Sequence, residues 1–229
     1  MNKKFMIHYH PGTGGFFLTT VFAKLMNIAI NTAISDTGDC HDLGQGIWNE
    51  VDGINFAHSF DKSIGDLKLM YHPGVNLYST HAVTPEFIQK NPDIKVIQIG
   101  AMPEDYRLIT TMFVKKAWPN LWTEEEYNKW VSPYYPPYSR NNIAESELIC
   151  QDLINDFIIT RTPIWFEQHS QLNYAHVINF KTVMGLNDEN LVNIVAKITG
   201  GKITDDIHDF VREYQQLNKK LYFNHARQS

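Results

Sequence analysis

The chain has 229 residues, and 43% of them are hydrophobic, which is enough for one domain with a substantial core. Its formal net charge of −5 argues against a surface that attracts a nucleic-acid backbone. No run of about 18 apolar residues and no signal peptide is visible, and the two cysteines, Cys40 and Cys150, lie far apart. We therefore expect a single domain over residues 1–229 in the cytoplasm, with neither nucleic acid nor membrane as a partner.

The first predicted elements are a strand, a glycine-rich loop and a helix. The apolar run from Phe5 to Tyr9 predicts a buried strand, and from Phe16 onward the apolar residues follow helical spacing. Residues 28–34 suggest a second strand. The glycine- and aspartate-rich stretch over 35–46 predicts an exposed loop.

Later segments continue the alternation of strands and helices. Strands are predicted over 76–80 and 95–99, and a helix from Pro103 to about Lys116. Asn187 is predicted to cap a helix that ends at Gly200, and Thr204 precedes an amphipathic helix through about Tyr222. This alternation predicts an α/β fold with a parallel sheet, helices on both faces and ligands at the carboxyl ends of the strands.

The loop after the first strand is the strongest candidate for a binding site. It consists of His10, Pro11, Gly12, Thr13, Gly14, Gly15 and Phe16. Its three glycines allow successive N–H groups and the helix N-terminus to face one point, as in anion-binding loops. An ordinary tight turn between strand and helix is the alternative.

Four segments resemble the P-loop sulfotransferase family. The segment Pro11–Gly15 is similar to the loop around the 5′-phosphosulfate of the donor PAPS, and Ser79–His81 to the segment that carries the catalytic histidine. The segment Val96–Asp105 resembles the following strand and helix start. A weaker likeness covers His176–Gly200. The resemblance implies a P-loop NTPase-like topology, PAPS as cofactor and a small-molecule or glycan hydroxyl as acceptor.

The chain departs from the family where the donor's charges are bound. Gly12 replaces the loop lysine, Ala101 the arginine that binds the 3′-phosphate, and Ile109 its partner serine. Charge-assisted hydrogen bonds contribute about 1.5–3 kcal/mol each, so other groups have to replace them for tight binding. The candidate replacements are His10 and Lys24 beside the loop, and Arg107, Thr110 and Thr111 on the helix after Pro103.

His81 is the candidate catalytic residue. The resemblance implies that its neutral imidazole takes the proton of the acceptor hydroxyl as that oxygen attacks sulfur. A hydrogen-bonded structural histidine is the alternative, since the chain has ten histidines.

The histidine, cysteine and aspartate residues near one another in the sequence do not predict a metal site. His8 and His10 alternate on one strand without a nearby third ligand, and the adjacent residues of Cys40–Asp42 do not converge on one ion. Aromatic residues and prolines crowd into residues 118–140, which predicts either a lid over an acceptor site or a hydrophobic cluster or oligomer interface.

Three functions remain open from the sequence. The first is sulfuryl transfer from PAPS. The second is a catalytically degenerate protein of the same fold that binds a nucleotide, a phosphorylated ligand or a protein. The third, a small-molecule kinase, ranks last because the loop has no Lys-Ser or Lys-Thr pair for a triphosphate and magnesium.

Overall fold

The structure is a computed structural model that describes residues 4–28, 32–36, 38, 40–42, 56–59, 76–80, 83, 85–117, 155, 161–170 and 172–223. The strands are β1 Lys4–His8, β2 Thr32–Ile34, β3 Cys40–Asp42, β4 Phe56–Ser59, β5 Leu77–Thr80, β6 Ile94–Gly100 and β7 His176–Asn179. The helices are α1 Gly15–Leu25, α2 Pro85–Lys90, α3 Tyr106–Ala117, α4 Arg161–Ser170, α5 Phe180–Val183, α6 Leu191–Thr199 and α7 Asp205–Asn218. A 3-10 turn over Pro103–Asp105 precedes α3, and a π-helical turn over Lys219–Phe223 follows α7.

The main sheet has five strands in the order β4-β5-β1-β6-β7, and each neighbouring pair is parallel. The mostly apolar run at the start of the chain becomes its central strand, β1, which is buried from Phe5 to His8. Strands covered on both faces are typical of parallel sheets. The predicted parallel sheet flanked by helices is confirmed.

Side chains on the two faces of the sheet enter two hydrophobic clusters. Phe5 and Ile7 point into the larger cluster, in which α1 packs on the sheet and α6 and α7 pack on α1. Met6 enters the smaller cluster with Phe87 of α2 and Val96 of β6. Because successive strand residues alternate between the faces, β1 supplies both clusters at once.

Helix boundaries follow from the local chemistry of their ends. Gly200 ends α6 in the left-handed conformation at φ 78°, as predicted. The cap of α6 is Asn190 and not the predicted Asn187, because the Asn190 side chain accepts a hydrogen bond from the backbone N–H of Asn193. The Asn187 amide instead donates to the hydroxyl of Thr182.

The region after α1 differs from the prediction in two respects. Within the strand expected over 28–34, the described residues Thr32–Ile34 form β2, which pairs with β3 in a separate antiparallel sheet. The expected exposed loop over 35–46 contains β3, and Cys40 is buried against the hydroxyl of Thr20 on α1. Local polarity did not reveal that pairing between short strands would bury one apolar side chain.

None of the helices in the described residues is long and apolar enough to cross a membrane.

Replacement of Phe17 tests the packing of the larger hydrophobic cluster. Its ring is buried on α1 and stacks on Tyr214 of α7, with 3.7 Å between the ring centroids. We expect Phe17→Ala to lower the free energy of unfolding by about 3–5 kcal/mol, because the cavity cannot close without moving α7. Urea unfolding measures the change. Ile164→Ala, at an exposed position of α4, is the matched control and should cost less than about 1 kcal/mol. Equal costs would contradict this packing.

Candidate functional site

The candidate site lies at the carboxyl end of β1, where the strand order of the sheet reverses. The chain leaves β1 toward β4 on one side of the sheet and leaves β6 toward β7 on the other. In open α/β sheets, ligands bind in the crevice at such a switch point. The loop after β1, the end of β5 and the turn after β6 are remote in sequence. They meet at this edge because β5 and β6 are the two neighbours of β1.

The loop between β1 and α1 is a tight turn that glycines make possible. Gly12 and Gly14 have φ values of 88° and 75°, which residues with a Cβ rarely adopt. The backbone N–H and the hydroxyl of Thr13 both donate to the carbonyl of His10, at 3.1 and 2.6 Å. These two hydrogen bonds close the turn, and Thr13 is fully buried.

Helix α1 begins directly after this turn and directs its positive end toward the loop. Gly14 caps the helix without a side-chain hydrogen bond, and the first turn contains no acidic residue. The first N–H groups of an α-helix have no acceptor within the helix, so they are available to an anion.

The loop glycines also permit close packing. A Cβ on Gly12 would lie 2.5 Å from the carbonyl oxygen of Ile109 on α3. A Cβ on Gly14 would lie 2.6 Å from the terminal methyl of Met184, and one on Gly15 would lie 1.9 Å from the ring of Tyr9. Substitutions here would therefore disturb the fold as well as any bound ligand. In the described residues, the groups nearest to these glycines are uncharged, and the polar ones include the Tyr214 hydroxyl, 2.9 Å from the position of a Cβ on Gly14.

His10 is buried at the start of the loop and packs against α4. Its ring stacks on Phe166 at 5.5 Å and meets the edge of Trp165 at 5.3 Å. Its Nδ1–H donates to the carbonyl of Pro11 at 2.5 Å. In the neutral ring, Nε2 is then the acceptor nitrogen, so a neutral His10 does not present an N–H to an anion through Nε2.

The other predicted replacements for the family's charged residues lie in different environments. Arg107 is exposed on α3 and Thr111 is half-buried. The hydroxyl of Thr110 is buried and shares a hydrogen bond of 3.0 Å with Thr162 of α4. Lys24 lies in the last turn of α1, above the ring of Phe210, and so is at the opposite end of that helix from the loop.

Two sequence predictions lie outside the described residues. His81 follows Thr80, the last residue of β5, but is not itself described. The aromatic segment over 118–140 is also outside them. The role of His81 and the lid over an acceptor site stay predictions.

The structure reveals a polar row across the sheet that the sequence did not reveal. Thr80, His8 and Gln98 are register partners on β5, β1 and β6, and all three are buried. Since register partners in a parallel sheet point to the same face, these polar side chains lie side by side. Residues of central parallel strands are normally apolar. The alternation of His8 with Met6 was the available signal.

A second feature not predicted from the sequence is an ion-pair network at the ends of β6 and β7. Lys181 of α5 contacts the carboxylates of Glu104 and Asp105, each at 3.3 Å. The hydrogen bonds to Asp105, and secondarily to Glu104, raise the pKa of Lys181. Asp105 is buried and also accepts the backbone N–H of Met102 at 3.1 Å. The network joins the turn after β6 to the turn after β7.

Within the described residues, no three His, Cys, Asp or Glu side chains are grouped so that they could hold a metal ion.

No protein-family model, curated protein or solved structure matches the chain. Any family likeness therefore depends on the motifs and on where the fold brings them together.

Asp105 should be the more important acid of the ion-pair network. We expect Asp105→Ala to lower the free energy of unfolding by about 1.5–3 kcal/mol, because it removes a buried charge-assisted hydrogen bond to Met102. Glu104→Ala is the matched control and should change the free energy far less, since water and salt screen an exposed pair. Urea unfolding of both variants measures the difference. Equal losses would show that burial of Asp105 does not matter.

Proposed function

We propose that the chain binds a phosphate- or sulfate-bearing small molecule, a nucleotide being the preferred class, at the loop from His10 to Phe16. The observation that carries this proposal is a left-handed glycine turn that opens α1 at the switch point of a parallel sheet. Backbone N–H groups and the helix dipole both favour an anion there. The proposed fold is correspondingly P-loop NTPase-like.

The groups around the loop bring no charge to a bound anion. Gly12 and Ala101 are uncharged, and so are the described contacts of the loop glycines, which include the Tyr214 hydroxyl beside Gly14. Backbone N–H groups would then provide most of the attraction. Arg107 is an exposed cation on α3 and is the candidate partner for a second phosphate. This composition favours binding without catalysis.

Sulfuryl transfer from PAPS is the second candidate function. It is supported by the convergence of the loop, the end of β5 and the turn after β6 at one edge, since these three segments carry the family likeness. In this reaction the acceptor oxygen bonds to sulfur while the bond from sulfur to the phosphate oxygen breaks. His81 would take the hydroxyl proton, and the leaving phosphate would keep the electron pair.

A magnesium-dependent kinase has less support. Gly15 and Phe16 occupy the positions at which a triphosphate-binding loop has lysine and a hydroxyl for magnesium. ATP with magnesium therefore serves as the competing ligand in the test.

Ligand preference tests the proposed function directly. We expect adenosine 3′,5′-bisphosphate to raise Tm more than ATP with magnesium does, as measured by thermal unfolding. A ligand that binds the folded state at about a hundred times its Kd adds about 2.7 kcal/mol, which shifts Tm by several degrees. Arg107→Ala should reduce the shift, whereas Lys197→Ala, at an exposed position of α6, should leave it unchanged.

The possible outcomes separate the three functions. No shift at millimolar bisphosphate would overturn anion binding at the loop. A larger shift with ATP and magnesium would favour the kinase over both other functions. A bisphosphate shift without turnover would support the non-catalytic protein.

His81→Ala tests the catalytic candidate. If the chain transfers sulfuryl groups, we expect this variant to fold and bind the bisphosphate normally but to lose turnover by about 100-fold or more, because the general base is gone. His176→Ala, at an exposed position on β7, is the matched control and should keep the wild-type rate. The measurement is transfer of labelled sulfate from PAPS to a panel of hydroxyl acceptors. Retained turnover in His81→Ala would reject the assignment.

A further inference from the structure

Helix α4 contacts the sheet through a group of aromatic and histidine rings, here called the histidine cluster: His8, His10, Trp165, His169 and Tyr174. The ring of His169 lies 4.7 Å from that of His8 and 4.3 Å from that of Trp165. His8 is fully buried at the end of β1. Two histidine rings therefore meet at the contact between α4 and the central strand.

The tautomer of His169 follows from its hydrogen bond. Its Nδ1 lies 2.6 Å from the carbonyl oxygen of Trp165, so Nδ1 carries the proton and donates it. The described residues make no hydrogen bond to Nε2, so the neutral ring keeps a lone pair that a proton can occupy. Proton uptake at this nitrogen would place a full positive charge in the cluster.

The described neighbours of His169 offer little compensation for that charge. In the part of the chain that the structure describes, the titratable groups that the ring contacts place around it are His8 on β1, Tyr174 after α4 and His10 beyond Trp165. Among the described residues, no carboxylate forms an ion pair with His169, and Glu167 on its own helix is exposed. A second imidazole repels an imidazolium once it is itself charged.

Burial also disfavours the protonated form of His169. It lowers the pKa of His169, and the hydrogen bond to the Trp165 carbonyl offsets this only in part. A lowered pKa in the folded state means that the folded form favours the neutral ring. This contribution to stability is complete above about pH 6.5 and is lost as the pH falls through the lowered pKa of the folded state.

The hydrogen bond between His8 and Tyr174 does not compensate for the charge of a protonated His169. Nδ1 of His8 lies 2.9 Å from the Tyr174 hydroxyl, which can donate or accept. Burial raises the pKa of Tyr174, so this hydroxyl stays protonated and uncharged throughout the range in which histidines titrate. It therefore supplies no negative charge to an imidazolium.

We propose that the histidine cluster is a pH-sensitive contact that keeps α4 against the sheet when His169 is neutral and releases it when His169 takes up a proton. Release would also move Trp165 away from His10, which begins the glycine loop. Acidification would then remove one wall of the loop. The proposal stands without any ligand and does not depend on the proposed function.

Hydrogen exchange of α4 tests the proposal on the complete chain. After correction for the intrinsic pH dependence of exchange, we expect the protection of α4 amides to fall at least about tenfold between pH 7.5 and pH 5.5. His169→Gln should remove most of this acid response, because its amide stays uncharged at both pH values. His176→Gln, exposed on β7 and outside the cluster, should keep it. Unchanged protection, or an equal response in His169→Gln, would overturn the proposal.

A second measurement applies if His169→Gln does not fold. In the wild-type chain with labelled histidines, NMR gives the protonation midpoint of each imidazole. The loss of α4 protection should share its midpoint with a histidine that titrates below about pH 6.5. Loss of protection without such a histidine, or at a clearly different midpoint, would show that another group controls α4.

Discussion

The parallel pairing of β1 with β5 on one side and β6 on the other is the constraint on which the rest of the structure depends. It buries β1 on both faces, so Phe5 and Ile7 have to enter one core while Met6 enters the other. It also fixes where β1 ends. The loop, the end of β5 and the turn after β6 consequently meet at one edge of the sheet, although about 90 residues separate the first of them from the last.

The glycine loop has two physical roles that use the same residues. Left-handed backbone at Gly12 and Gly14 directs the chain from β1 into α1, whose first N–H groups have no acceptor within the helix. The missing side chains also let α3 and Tyr9 approach closely. The two interpretations of this loop, a tight turn and an anion site, are therefore compatible. The glycines do not distinguish between them, whereas binding of a ligand at the loop would.

The two faces of the sheet differ in their chemistry near this edge. On the face of α1, the cluster around Phe17 and Tyr214 is apolar and stacked. On the face of α4, His8 lies beside Thr80 and Gln98 and beneath the ring of His169. A polar row in central strands lowers the stability that these strands could reach. Its presence next to the loop links the candidate site to the part of the fold that responds to protons.

The sequence determined the elements with strong local patterns and the residues at their ends. The strand around Met6, the loop glycines, the strand ending at Gly100 and the Gly200 cap follow from short-range sterics and periodicity. Only the tertiary structure decided the strand order, the pairing of β2 with β3, the bond of Thr110 to Thr162 and the contact of His8 with His169. These depend on distant segments meeting in space, and no local propensity encodes which segments will meet.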